Sequence, residues 1–296
     1  MVKPGYDTLA NEGVSNDTLE EQAEGENLDA IVAALPLNGV RTVLDIGCGT
    51  GALTRRIARV LESAGSRSQG DEVETLVYGV DISRDHVEGA RRLADVQGLR
   101  NVRFLEGDFL HGDIDDHLPA DVDLIVEKYL LMHVVLQEKH HALLAGMQRR
   151  LRPGGRVALI EPDVNFGGDR YPPPPEPLAS VLPRIVEYYR RQRLIEWRCG
   201  PQLFHHLREA GYADVRVTLV DGRIIAGGTP AALVEHASRD VEALIEPCLV
   251  EMGIGDRLVL VAEQWRAYLR QPASLLYTPI FLGVGTKASD ERRTRA

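Results

Sequence analysis

Apolar residues arrive along this chain in short bursts whose period alternates. Thr42–Ile46 is a brief apolar run stopped by glycines, which suits a buried strand. Ala52–Leu61 then takes helical spacing through Leu53, Ile57, Val60 and Leu61. The rhythm repeats: Thr75–Val80 predicts a second strand, His86–Val96 a second helix and Val102–Leu105 a third strand. Val122–Glu127 predicts a fourth strand and His140–Leu151 a helix. Pro153-Gly154-Gly155 then reads as a turn that releases a fifth strand, Arg156–Glu161. Strands alternating with helices predict a doubly wound α/β core over 35–163, a mostly parallel sheet with helices on both faces. Its ligand site belongs beyond the C-terminal ends of the strands, near the switch point.

Outside that core the pattern changes. Met1–Glu26 is rich in Gly, Asn, Asp and Glu and reads as an exposed arm, leading into a helix near Leu28–Leu35. Residues 164–200 read as a linker and lid helix, since Gly167-Gly168 and Pro172–Pro175 cannot continue a strand and Leu178–Ile195 is helical. Within 201–229, Pro201–Ala210 predicts a helix and Val215–Val220 a sixth strand. Pro230–Leu269 predicts a helical cap insertion, within 230–272. Tyr277–Thr286 predicts the last strand, within 273–296, for seven in all.

Composition narrows the partners. The 296 residues carry a net charge of −10, and no Lys/Arg cluster dominates, so nucleic acid is not expected. The N-terminal stretch has no apolar signal-peptide core, and charges interrupt every long apolar run, so no membrane span is expected. Cys48, Cys199 and Cys248 are far apart, without metal or disulfide spacing, which fits a reducing, cytoplasmic compartment.

The strongest signal is Val43-Leu44-Asp45-Ile46-Gly47-Cys48-Gly49-Thr50-Gly51-Ala52. Glycines between a strand and a helix let backbone approach a ligand, and the helix start offers free N–H groups. Alone the motif is ambiguous, because Gly47-x-Gly49-x-x-Ala52 also satisfies the dinucleotide fingerprint of an NAD(P)-dependent oxidoreductase. Asp45 separates the readings: a carboxylate there would repel a pyrophosphate and suits the amino group of a methionine moiety. Asp81, closing the second strand, can accept ribose hydroxyls in either reading. Glu106-Gly107-Asp108-Phe109 offers a carboxylate for an adenine amino group and an aromatic for its face.

These residues resemble motif I and the later acids of the class I, Rossmann-like S-adenosylmethionine-dependent methyltransferases. Glu127-Lys128-Tyr129-Leu130-Leu131-Met132-His133-Val134 and Leu151-Arg152-Pro153-Gly154-Gly155-Arg156 are similar to motifs of the subgroup that includes ubiquinone and menaquinone biosynthesis enzymes. The turn at Gly211-Tyr212 resembles the one that precedes their sixth strand. The resemblance implies S-adenosylmethionine as cofactor, held by Asp45, Gly47, Cys48, Gly49, Gly51, Asp81, Ile82, Asp108, Phe109, Glu127 and Lys128. It also implies an N-terminal arm, with Tyr6 and Gln22, that folds over the site.

Methyl transfer from a sulfonium is an in-line displacement that depends chiefly on positioning, and a base is needed only where the acceptor must lose a proton. His133 is the candidate catalytic base, just past the fourth strand. Tyr6, Tyr129, His133, Glu161 and Asp163 are the candidate substrate contacts, with no metal among them, since the spacing matches no ligand pattern. His140-His141 and His205-His206 read as surface or interface residues, and the patch Arg190, Arg191 and Arg193 as a solvated helix face. The expected function is methylation of a small-molecule acceptor of secondary metabolism, oxygen before carbon or nitrogen. The late helices leave room for a homodimer, and the other classes are an oxidoreductase or a non-catalytic cofactor-binding protein on the same fold.

Overall fold

Four parallel strands carry the alternation read above: β1 (Thr42–Ile46), β2 (Leu76–Asp81), β3 (Val102–Glu106) and β4 (Val122–Lys128). They belong to a computed structural model that describes residues 16–24, 26–65, 75–112, 114–134, 137–165, 170–229, 234 and 243–288. Between them run α3 (Ala52–Gly65), after α1 (Asn16–Glu24) and α2 (Leu28–Ala34), and α4 (Arg84–Val96), whose N-cap Ser83 accepts a hydrogen bond from the His86 amide. Then follow α5 (Gln137–Arg150), β5 (Leu151–Pro162), β6 (Arg170–Tyr171), α6 (Leu178–Arg191), α7 (Leu203–Glu209), β7 (Ala213–Ala226), α8 (Leu258–Leu269) and β8 (Leu275–Thr286). Residues 243–251 are also helical.

The strands form one eight-stranded sheet in the order β3-β2-β1-β4-β5-β8-β6, with β7 on the far edge of β8. β8 is antiparallel to β5 and β7, and the chain reverses its winding between β1 and β4. The eighth strand, absent from the sequence reading, is the two-residue β6, paired with Leu275 and Leu276.

The sheet is covered on both faces because its strands are apolar on both. Along β4, Leu124 and Val126 face a cluster with Ile31, Ile57 and Val87, while Val122 and Ile125 face another with Leu144, Leu182 and Trp265. Each such Leu or Ile contributes about 1.5–3 kcal/mol relative to leaving it in water. No helix among the described residues is long and apolar enough to cross a membrane.

Several boundaries differ from expectation, each for a physical reason. β5 begins at Leu151, already paired with Val122, and absorbs Pro153-Gly154-Gly155 as an irregularity in the ladder. β7 runs from Ala213 to Ala226 because its polar residues alternate on an exposed edge and still pair with β8. The segment read as an exposed arm contains the docked helix α1. The cap block resolves into the helical stretch 243–251 and α8, separated by a turn at Gly255–Arg257. The expected Pro230 start of that block lies outside the described residues.

Candidate active site

The glycine loop sits where β1 turns into α3, with φ of +71° at Gly47, +54° at Gly49 and +76° at Gly51. Glycine is required most plainly at Gly51, where a Cβ would lie 2.5 Å from the Phe104 ring and φ is left-handed. The loop is tied back by its own main chain, with Gly47 and Cys48 amides both donating to Val80 O. Cys48 lies half-buried near Gly79, where burial pushes its thiol up.

Three carboxylates surround this loop. Asp45 is buried, and its Oδ2 accepts from Thr54 Oγ1 at 2.6 Å. Burial raises it to about 6, against the pull of that hydrogen bond and of Lys128 nearby. Asp81 is fixed by the Gly49 amide at 2.8 Å and the Ser83 amide at 2.9 Å, with His86 Nδ1 3.5 Å away; Ile82 follows it directly. Asp108 caps its own turn, accepting from the Leu110 and His111 amides, and its other oxygen meets His111 Nδ1. Phe109, expected to cover an adenine face, is instead a core side chain against Gly146 and Ile114, because the Asp108 turn folds it inward.

Beyond β4 the chain makes a short loop that hangs over the glycines. Tyr129 takes φ of +60°, and a Cβ on Gly47 would touch Leu130 Cδ1 at 3.3 Å. Lys128 Nζ pairs with Glu26 Oε2 at 2.8 Å and lies 3.8 Å over the Tyr129 ring. Leu131–His133 form a single 3-10 turn. His133 is half-buried, its Nδ1 buried without a partner among the described residues, and burial lowers it to about 4.

Other expected contacts are committed elsewhere. Asp163 bonds Arg198 Nε at 2.8 Å. Glu161 and Glu127 lie wholly inside the sheet's end and turn to each other rather than outward. Tyr6 lies outside the described residues, as does the Gln22 side chain. His140 and His206, read as surface or interface residues, are buried within the chain edge to face, with ring centroids 4.8 Å apart, since α7 packs on α5. Arg190 and Arg191 do lie exposed, paired with Glu187 and Glu251. No group of three or more His, Cys, Asp or Glu among the described residues is arranged to hold a metal ion.

A family model described as a methyltransferase domain matches residues 38–197, more than half of the chain. The chain belongs to that methyltransferase family. Aklanonic acid methyltransferase DauC of Streptomyces sp. (strain C5) is 30% identical over 189 residues, 61% of this chain and 78% of that protein. Acetylserotonin O-methyltransferase of Mus musculus molossinus is 32% identical over 164 residues, which is 55% of this chain and only 38% of that longer relative. Phosphoethanolamine N-methyltransferase 2 of Haemonchus contortus, solved with S-adenosyl-L-methionine, shares the fold at a TM-score of 0.54 and 17% identity, covering 97% of this chain and 61% of that one. The YcgJ protein of Bacillus subtilis shares it at 0.50 and 18%, covering 88% and 98%.

In this methyltransferase the sequence missed Glu20 and Arg55, which tie α1 to the glycine loop and the start of α3, and Glu26, which pairs with Lys128 at the end of β4. Glu20 bonds Thr50 Oγ1 and both oxygens meet Arg55 Nη2. The available signal was a buried-side arginine in a helix start that had no acidic neighbour nearby in sequence.

Proposed function

We propose that this methyltransferase transfers a methyl group from S-adenosylmethionine to an acidic small molecule, most readily to its oxygen. The observation that carries the cofactor is Asp45, a buried carboxylate beside the glycine loop that accepts a hydrogen bond from Thr54. A buried carboxylate there disfavours the pyrophosphate of a dinucleotide and favours a cationic amino group. Asp81, already oriented by Gly49 and Ser83, would accept ribose hydroxyls; Asp108 would take the adenine edge once His111 swings away. Gly47, Gly49 and Gly51 give the backbone room for close approach, and Lys128, paired with Glu26, lies within electrostatic reach of Asp45. Bound there, S-adenosylmethionine supplies an electrophilic methyl group on a sulfonium.

The acidic acceptor follows from the poor match of His133 to the work of a base. His133 is neutral at pH 7, but burial, with no partner for Nδ1 among the described residues, opposes an imidazolium. A base whose conjugate acid lies near 4 is poorly matched to proton abstraction at neutrality. An acceptor already ionised, such as a carboxylate or an acidic enol or phenol, removes that demand, leaving His133 and Tyr129 to orient it. DauC, a relative named for methylating aklanonic acid, supports the same class. We read the protein as cytoplasmic and free of nucleic acid. A second copy would pack on Leu219, Ile224 and Tyr277, apolar and exposed on the β7–β8 ribbon.

The test is calorimetric titration with S-adenosylhomocysteine, with NADH as paired control, on wild type, Asp45→Asn and Asp81→Asn. Micromolar binding of the first alone, weakened about tenfold or more in both variants, is expected. Binding of NADH alone would overturn the reading and move the search to redox chemistry.

A further inference from the structure

Glu127 lies one residue before the end of β4, on the face of Ile125, and its register partner on β5 is Leu159. Two residues later Glu161 returns to that face, which makes the two side chains diagonal neighbours. Both are 0% exposed. Glu127 Oε2 accepts from the Leu130 amide at 3.0 Å and the Leu131 amide at 3.4 Å; Glu161 Oε1 accepts from the Met132 amide at 3.2 Å. That leaves Glu127 Oε1 and Glu161 Oε2, each buried and without a hydrogen-bond partner among the described residues. Each carboxyl lies within electrostatic reach of the other. An ionised carboxylate only accepts, so the two leftover oxygens can satisfy each other only with a proton on one of the carboxyls.

We propose that Glu127 and Glu161 share one proton and that this acid–carboxylate pair is the positioning device for the loop 129–134. The loop's place over the cofactor rests on the function proposed above; the shared proton does not. Three successive loop amides end on the pair, so its charge state sets where Tyr129, Leu130 and His133 lie. The surroundings keep the proton in place. Asp45 on β1 lies within electrostatic reach of Glu127, and Cys199, just before α7, within reach of both glutamates. Glu196 donates its amide to Met132 O, and His140 Nε2 meets Leu131 O at 3.2 Å. None of these is a cation that would favour two charges, and burial pushes both carboxyls up, Glu161 the more strongly. Both glutamates are therefore positioning residues, not catalytic ones.

The decisive measurement is infrared spectroscopy of the full chain at about pH 8, where the ordinary carboxylates are ionised. A neutral carboxylic-acid carbonyl band is expected in wild type, moved by deuteration and lost in Glu161→Gln. The glutamine amide keeps a donor for Glu127 Oε1 with no proton to lose. Its thermal midpoint should therefore fall less than wild type's as pH rises from about 7 to 9. The sign follows because a raised carboxyl pKa stabilises the fold only while the proton stays bound. Glu161→Ala should lower S-adenosylhomocysteine affinity about tenfold, and Glu161→Gln should recover most of that loss. A wild type without the band, or a Glu161→Gln protein that keeps it, overturns the proposal. Failure to bind S-adenosylhomocysteine while the band is present would count against the cofactor reading instead.

Discussion

Asp45 joins three observations at one residue: it is buried, it has a hydrogen bond from Thr54, and burial lifts it to about 6. Near pH 6 it is part protonated in the free protein, and a cationic amino group beside it would pull its proton off. Affinity for S-adenosylhomocysteine should thus rise as pH increases through about 6 and level off above it. The rise is the depopulation of neutral Asp45, at most tenfold per pH unit. Calorimetry at about pH 5 and pH 7, in buffers of differing ionisation enthalpy, reads this as proton release confined to the acid side. Equal affinity at both would remove Asp45 from the site. Such residues were legible because motif spacing fixes them to a strand end. Glu127 and Glu161 lie 34 positions apart, and only the parallel register of β4 against β5 makes them partners. His140 and His206 misled for the same reason, since charged neighbours in sequence say nothing of which helix face α7 covers.

Among the elements, α1 was the least legible because its anchors are polar. Glu20 reaches Arg55 and Thr50, Asn16 donates to Asp85 O, and Leu19 Cδ1 would lie 3.2 Å from a Cβ on Gly49. A stretch rich in Asn, Asp and Glu reads as solvated, yet these side chains bridge the starts of α3 and α4. Arg55 is 3% exposed, and burial lowers its pKa in spite of Glu20. Glu20→Ala would strand that guanidinium. Removing one partner of a fully buried pair costs about 3–5 kcal/mol, and the exposure of Glu20 reduces this to about 1–3 kcal/mol. Urea unfolding should show the loss, and limited proteolysis should cut within 16–27 faster than in wild type. An unchanged midpoint with unchanged cleavage would mean that α1 does not depend on this ion pair. By contrast, the helices α3 and α4 and the strands β1 to β4 were read nearly to their ends, since burial on both sheet faces leaves apolar runs that only one pairing explains.

At the scale of the whole molecule, the family match and the fold have different boundaries. The match ends at residue 197, while β5 still has an unpaired side at that point in the chain. β8 fills it through seven antiparallel pairs, from Arg156↔Thr286 to Pro162↔Ile280, and β7 in turn covers the far edge of β8. Val157, Ala158, Leu159 and Ile160 are all fully buried in the complete sheet, and Tyr212, Ile280 and Leu282 from the later segment are part of that burial. A piece ending at 197 would present a long apolar strand with free N–H and C=O groups, the arrangement that templates pairing between chains. It would also lose Arg198, the partner of Asp163, and the strand that accepts the Asp163 amide at Pro279. A 38–197 protein should therefore aggregate or self-associate on expression, although it carries every motif residue from Asp45 to Glu161. Extending it to residue 288 should restore a soluble sheet, because β7 and β8 close the edge without touching the glycine loop. Light scattering of the two pieces separates the outcomes. A soluble, monomeric 38–197 protein would show that the motif-bearing core closes on its own and that β8 serves only the lid and cap.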